Sequence, residues 1–182
     1  MLLKEYYRTN AGITPAVRDA LIEQCGEMRH EPGTIFRDGK KVVDKNWRSS
    51  RNVWLYADNW VGGMMAHWVQ TANTMHYNFD LTTWETRIQY TEYGPGDKYA
   101  WHIDGTEDPK LIRKLSISLC LSERDEYEGG EFQIMLGAEL ITMKMDLGDV
   151  IVFPADAMHR VRPVKSGKRI SLVGWYGGPN FK

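Results

Sequence analysis

Three side chains in this 182-residue chain have the types and spacing to hold a divalent metal. His102 and Asp104 are separated by one residue, so in an extended strand both leave the same face, and an imidazole and a carboxylate enter one space. His159 follows Asp104 after a further 55 positions, just beyond Phe153-Pro154-Ala155-Asp156-Ala157-Met158 and at the start of another candidate strand. Facing strands of a barrel would bring it to the pair. A His-x-Asp pattern is common by chance, and what gives this one weight is its place at strand ends, where a rigid fold can fix ligand geometry. Three protein ligands rather than four leave coordination positions open, which marks a catalytic rather than a structural metal.

Two imidazoles and one carboxylate on one face of an octahedron form the ligand set of non-haem Fe(II) oxygenases, although the same trio accepts Zn, Mn or Co. The last candidate strand separates these readings. Arg169 and Ser171 alternate onto one face there, and a barrel interior rarely holds an unpaired guanidinium. A bidentate contact with a bound dicarboxylic acid would resolve that cost. The alternative is that Arg169 faces solvent beside Lys165 and Lys168.

The elements that must position these residues read as mainly β. A chain of this length with 42% hydrophobic residues is sufficient for one domain, residues 1–182. Thr14 as N-cap, Pro15 at the first helical position, and Val17, Leu21, Ile22 and Cys25 at helical spacing predict a helix to Met28. Asp58-Asn59 begin a second, running to about Met75, with Trp60, Met64, His67, Trp68 and Thr71 as its packing stripe. Strands are predicted over Tyr77–Asp80, Glu85–Tyr93, Lys98–Ile103, Lys114–Leu121, Glu131–Met135, Glu139–Thr142, Asp149–Phe153, His159–Val164 and Arg169–Tyr176, separated by Gly-rich turns. Two helices followed by nine short strands suggest a double-sheet jelly roll with the helices buttressing one face. Glu123-Arg124-Asp125-Glu126-Tyr127-Glu128 reads as a solvated surface turn.

Residues Thr34 to Tyr56 read as short strands, with Asp38-Gly39 turning a hairpin between Ile35-Phe36 and Val42-Val43. Between Arg37 and Arg51 lie six basic and two acidic residues. This exposed stretch, tipped with Trp47, is either a substrate-covering loop or a solvated hairpin. Over the whole chain 23 Lys+Arg balance 24 Asp+Glu, so no global field recruits nucleic acid or an anionic membrane. Cys25 and Cys120 lack CxxC spacing and read as reduced thiols. With no leader and no long apolar run, the expectation is a soluble, cytoplasmic protein.

Taken in order, Tyr90-Thr91-Glu92-Tyr93-Gly94-Pro95-Gly96-Asp97-Lys98-Tyr99, His102-Ile103-Asp104, Gly129-Gly130-Glu131-Phe132, Gly148-Asp149-Val150-Ile151-Val152-Phe153-Pro154 with His159, and Arg169-Ile170-Ser171 resemble the prolyl 4-hydroxylase-type Fe(II)/2-oxoglutarate dioxygenases. The resemblance implies a double-stranded β-helix with His102, Asp104 and His159 as iron ligands and Arg169 as the clamp on the distal carboxylate of 2-oxoglutarate. Tyr93 and Tyr99 would flank the cosubstrate pocket, with Tyr93 or Ser171 donating to it. Where relatives often carry a pocket tyrosine, this chain has Leu119-Cys120. The implied cofactors are Fe(II), 2-oxoglutarate as cosubstrate, O2, and ascorbate as a reductant. The implied substrate is a prolyl residue in a protein or peptide, with Trp47, Arg48 and Arg51 closing over it. Two alternatives stand beside it: the same chemistry on a free amino acid, other small molecule or nucleobase, and a non-catalytic cupin-like or zinc-binding module.

Overall fold

The computed structural model describes residues 6–105 and 112–179. In chain order the elements begin with β1 (Tyr7–Asn10), α1 (Pro15–Gly26), β2 (Glu31–Pro32), β3 (Ile35–Arg37), β4 (Lys40–Val42), β5 (Arg48–Ser49), β6 (Arg51–Tyr56) and α2 (Trp60–Ala72). They continue with β7 (Thr83–Trp84), β8 (Arg87–Tyr93), β9 (Lys98–His102), β10 (Ile112–Cys120), β11 (Tyr127–Gly129), β12 (Phe132–Leu136) and β13 (Glu139–Met143). The last four are β14 (Asp149–Pro154), β15 (His159–Val161), β16 (Val164–Gly167) and β17 (Arg169–Gly178).

A larger sheet runs β1-β14-β10-β17-β8-β6-β2, with β7 paired to the end of β17, and a smaller one runs β13-β12-β15-β9-β5. The alternation of side chains on the larger sheet sorts its two faces. Val53 and Leu55, Ile88 and Tyr90, Leu115, Ile117 and Leu119, Val150 and Val152, and Ile170 and Leu172 pack with the helices in one apolar cluster. The residues between them point the other way. Ile151 and Phe153 join Phe132, Ile134 and Val161 of the smaller sheet in a second cluster, with the rings of Phe132 and Phe153 5.4 Å apart. The inward face of the larger sheet also carries the buried polar side chains of Gln89, Thr91, Ser116, Ser118, Arg169 and Ser171. A buried polar strip inside an otherwise apolar sandwich is costly unless something pairs with it, and it marks where the site lies. This is the expected jelly roll, a double-stranded β-helix with two helices on its outer face.

Helix α1 starts as expected, the Thr14 hydroxyl accepting from the Val17 N–H at 3.4 Å, and it buries Leu21 and Cys25. Helix α2 is capped by Asn59 and points Val61, Gly62, Met65, Val69 and Ala72 inward; of the expected stripe, Met64 and Trp68 pack partly buried against the core, while Trp60 is 57% exposed and His67 and His76 are exposed. Gly62 sets that rotation. A Cβ there would lie 1.8 Å from the Ala57 carbonyl oxygen, so the helix backbone sits against the end of β6 with this side inward.

The expected strand Tyr77–Asp80 is absent. Residues Asn73–Tyr77 instead form a π-helical turn, and the Asn73 amide accepts from the Phe79 N–H at 2.8 Å and donates to the Phe79 carbonyl at 3.0 Å. One side chain thus stands in for a strand partner. The expected strand His159–Val164 divides into β15 and β16, because Pro163 between them has no N–H for the ladder. β1, ahead of the first helix, was not anticipated and extends the larger sheet beyond β14. Cys25 and Cys120 are both buried free thiols. Among the described residues no helix is long and apolar enough to cross a membrane.

Candidate metal centre and its cleft

The two histidines come from adjacent strands, not from strands facing each other across the barrel. β15 pairs with β9 in the smaller sheet so that His159 lies opposite His102, with their rings 4.1 Å apart. Each ring nitrogen Nδ1 lies by the carbonyl oxygen two residues earlier: His102 with Ala100 at 2.8 Å, His159 with Ala157 at 2.9 Å. A carbonyl only accepts, so Nδ1 carries the proton and Nε2 presents its lone pair. Both Nε2 atoms meet Asp104, His102 at 3.7 Å from Oδ1 and His159 at 3.6 Å from Oδ2.

Asp104 sits two residues past β9 and is held from the larger sheet. Its N–H donates to the Ala155 carbonyl at 2.8 Å, and its Oδ2 accepts from the Ser116 hydroxyl of β10 at 2.6 Å. Burial pushes the Asp104 carboxyl up, but the two imidazoles and the Ser116 hydroxyl outweigh burial and leave it below the usual range. Burial, reinforced by His159, lowers His102 to about 3, so this imidazole is neutral at ordinary pH. A neutral His102 and an anionic Asp104 are the protonation states a divalent cation requires, and the donor atoms of these two and His159 all lie within 4.8 Å of one another.

The cleft above this trio has a volume of about 1300 Å³ and is also lined by Tyr93, Arg169, Ser171 and Trp175. Arg169 is 1% exposed. Its Nη1 donates to the Ser171 hydroxyl at 3.1 Å, and its guanidinium lies 5.8 Å from the centre of the Tyr93 ring, but Nε and Nη2 have no partner among the described residues. A buried guanidinium with two unmet donors needs an anion. Gly130 makes room for its stem, since with φ +62° a Cβ there would crowd Arg169 Cδ at 3.2 Å. The donor trio therefore fits a divalent metal, and the unpaired fork of Arg169 fits the carboxylate of a ligand bound beside it.

The sequence model of the 2OG-Fe(II) oxygenase superfamily matches residues 88–177. A PKHD-type hydroxylase of Synechococcus sp. (strain CC9605) is 32% identical over 154 residues, 79% of this chain and 67% of that protein. The chain belongs to the 2OG-Fe(II) oxygenase superfamily. The name carries Fe(II) and 2-oxoglutarate as the group's cofactor and cosubstrate. A PKHD-type hydroxylase of Synechococcus sp. (strain CC9902) is 40% identical over 82 residues, 44% of this chain but 36% of its own length. Another, from Hyphomonas neptunium, is 40% identical over 86 residues and is matched over 38% of its length. The chain thus spans little more than a third of these two relatives.

Among solved structures, a prolyl-4-hydroxylase of Pseudomonas putida superposes with a TM-score of 0.73 at 19% identity, over 96% of this chain and 93% of that one. A prolyl hydroxylase of Trichoplax adhaerens, solved with a hypoxia-inducible-factor peptide fragment, superposes with a TM-score of 0.76 at 15% identity, over 94% and 83%. These likenesses establish the fold.

The remaining expected residues fall in three places. Tyr93 and Ser171 border Arg169, while Tyr99 lies flat on His102. Trp47 stands on the rim, 44% exposed, and lines the cleft. Arg48 is not on an exposed loop: it is 7% exposed and covers the Tyr99 ring at 4.4 Å. Arg51 is outside the cleft, because alternation along β6 turns it toward Glu92, 3.8 Å away, and leaves its neighbours Asn52 and Trp54 as lining residues. Leu119 faces the helices, so the inward residues of that strand are Ser116, Ser118 and Cys120.

Ser116 was missed, although its place in the alternation of Lys114–Leu121 marks it as inward and polar. Arg113 was missed too. It pairs with both oxygens of Glu85, donates to the Gly105 carbonyl at 2.7 Å and covers Trp175 at 4.1 Å, bracing the chain just after Asp104.

Proposed function

We propose that this chain is an Fe(II)- and 2-oxoglutarate-dependent dioxygenase that hydroxylates a prolyl residue in a protein or peptide and releases succinate and CO2. The observation that carries the chemistry is a single cleft holding a His-Asp-His trio and a buried guanidinium with unmet donors. His102, Asp104 and His159 would hold the iron. Bound there, Fe(II) supplies the redox chemistry that couples oxidative decarboxylation of 2-oxoglutarate by O2 to insertion of one oxygen atom into a C–H bond.

The chain's own residues bind and orient. The Ala100 and Ala157 carbonyls take the Nδ1 protons and so turn both Nε2 atoms toward Asp104, and Ser116 helps to hold Asp104 anionic. Arg169, steadied by Ser171, takes the far carboxylate of 2-oxoglutarate, and Tyr93 closes that end. Tyr99 fixes the plane of His102, and the apolar walls of Phe132, Phe153 and Val161 limit water. The aromatic cleft beyond the metal, with Trp47 on its rim, receives the substrate.

The prolyl reading draws on the prolyl hydroxylases among the fold neighbours, one of them solved with a peptide, and hydroxylation draws on the PKHD-type relatives. Ascorbate as reductant, residues 1–182 as one catalytic domain, and a reducing compartment such as the cytoplasm, to which the free thiols are suited, belong to the same proposal. The test is anaerobic loading with Fe(II), then addition of 2-oxoglutarate, ascorbate, air and a set of proline-containing peptides. Succinate and a peptide heavier by one oxygen are expected. Turnover confined to non-proline compounds would move the substrate to small molecules.

A further inference from the structure

Arg48 is buried, yet among the described residues no carboxylate pairs with it. Its Nε donates to the Ser50 hydroxyl at 3.2 Å and its Nη1 to the Thr34 carbonyl at 3.2 Å. With the Asn52 amide turned so that its nitrogen donates to the Arg51 carbonyl, the Asn52 oxygen accepts from Nη2 at 3.2 Å. The face of the guanidinium lies 4.4 Å from the centre of the Tyr99 ring. Every one of these partners is neutral. A guanidinium has five N–H donors, so these three bonds do not exhaust a side chain that lines the cleft.

Three of the other guanidinia that line the cleft give the contrast, and Arg37 has the carboxylate of Asp44. Arg113 has the carboxylate of Glu85, and Arg169 would have that of 2-oxoglutarate. Charge bookkeeping gives the same result. Around the metal alone, setting aside the charged residues of the outer cleft, Arg48, Arg169 and a divalent cation against Asp104 and a doubly charged 2-oxoglutarate sum to one positive charge. A buried charge of that kind is costly without a counter-charge, and a carboxylate on the substrate would bring one.

Arg48 is also fixed in place before any ligand arrives. A Cβ on Gly33 would lie 2.8 Å from Arg48 Nε and 2.3 Å from Ser50 Oγ, so the base of the β3–β4 hairpin closes directly over the side chain. A preset fork of donors binds a carboxylate without first losing its own freedom.

We propose that Arg48 is a substrate-binding residue that pairs with a carboxylate on the substrate, from either an acidic side chain next to the reacting residue or a free terminal carboxylate. This rests on the oxygenase reading in taking the cleft beyond the metal as the substrate's place.

The test is calorimetric titration of the Fe(II)-loaded protein, saturated with 2-oxoglutarate and held anaerobic. Two matched pairs are compared: N-acetyl-Asp-Pro-amide with N-acetyl-Asn-Pro-amide, and N-acetylproline with N-acetylprolinamide. Both pairs are repeated with alanine in place of proline. At least one acid is expected to bind about tenfold or more tightly than its neutral twin, and that preference should vanish in Arg48→Gln. The pair that shows it identifies the source of the carboxylate.

Equal binding within every pair overturns the proposal, and so does a preference that survives in Arg48→Gln. If Arg48→Gln loses its cooperative melt, Arg48→Lys replaces it. The preference should then fall by at least about threefold, because a point charge takes the place of the fork, and an unchanged preference overturns the proposal. Succinate formation is scored separately. An Arg48-dependent acid preference without turnover leaves this inference standing and removes the hydroxylase reading, and turnover without the preference does the reverse.

Discussion

Tyr99 lies flat on His102, with ring centres 3.5 Å apart and planes 13° from parallel. The imidazole is therefore fixed twice, in its tautomer by the Ala100 carbonyl and in its plane by the phenol. Burial raises the Tyr99 hydroxyl to about 12, so the ring stays neutral at working pH and acts through its face. Tyr99→Phe should leave metal affinity nearly unchanged. Tyr99→Ala should weaken it by about tenfold, the usual effect of losing a group that orients a ligand. Titration of the two variants with Fe(II) under nitrogen separates these outcomes, and equal losses would assign the effect to the hydroxyl instead.

Arg169 gives a prediction with two opposite signs. Replacing it by Met removes the fork for the cosubstrate, and 2-oxoglutarate binding should weaken by about 100-fold or more, the scale for truncating one partner of a buried charge pair. Without ligand the same change deletes a buried charge whose Nε and Nη2 have no partner among the described residues, so the ligand-free protein should become more stable by about 1 kcal/mol or more. Denaturant melts without 2-oxoglutarate, beside binding isotherms with it, read both effects. A destabilised Arg169→Met would mean that the guanidinium serves packing more than recognition.

Ser116 holds Asp104 from the opposite sheet through a 2.6 Å hydrogen bond. That bond is one of the contributions lowering the Asp104 carboxyl, so Ser116→Ala should raise it. Metal binding should weaken by about tenfold, and the pH below which metal is lost should move upward. Metal occupancy followed against pH in wild type and Ser116→Ala checks the direction, and coincident curves would remove Ser116 from the site.

What the sequence made legible follows from how locally each feature is encoded. The alternation in β8, β10, β14 and β17 was readable because each strand shows its own two faces, and the glycine turns announced where the strands end. His102, Asp104, His159, Arg169 and Ser171 stood out because charged or ligating side chains at strand ends are scarce. The burial of Arg48 was not readable. It depends on Gly33, Ser50 and Asn52 closing around a side chain that lies in a locally basic stretch just after the exposed Trp47. The face of α2 was only partly readable: Met64 and Trp68 do pack against the core, but Trp60 is exposed, and the backbone contact between Gly62 and Ala57 turns Val61, Met65 and Val69 fully inward. Asn73 imitating a strand partner for Phe79 left no trace in a periodicity.

His102 sets the pH dependence of the metal-free protein. Burial and the neighbouring His159 lower it from 6.5 to about 3 in the fold, while in the unfolded chain it titrates near the ordinary value. The unfolded state therefore binds a proton at a pH where the native state does not, and stability falls as pH falls. The contribution is fully present above about pH 6.5 and is lost progressively between there and pH 3. In chelator, urea melts should show wild type losing stability from pH 7.5 to pH 5, where carboxylates titrate little. His102→Gln, which cannot take up the proton in either state, should flatten that slope. With Fe(II) bound the slope should steepen, because protons and metal compete for the same Nε2. A wild-type profile already flat over this range would show that the buried imidazole accepts its proton without cost, and with it the argument that His102 is held neutral for a metal would fail.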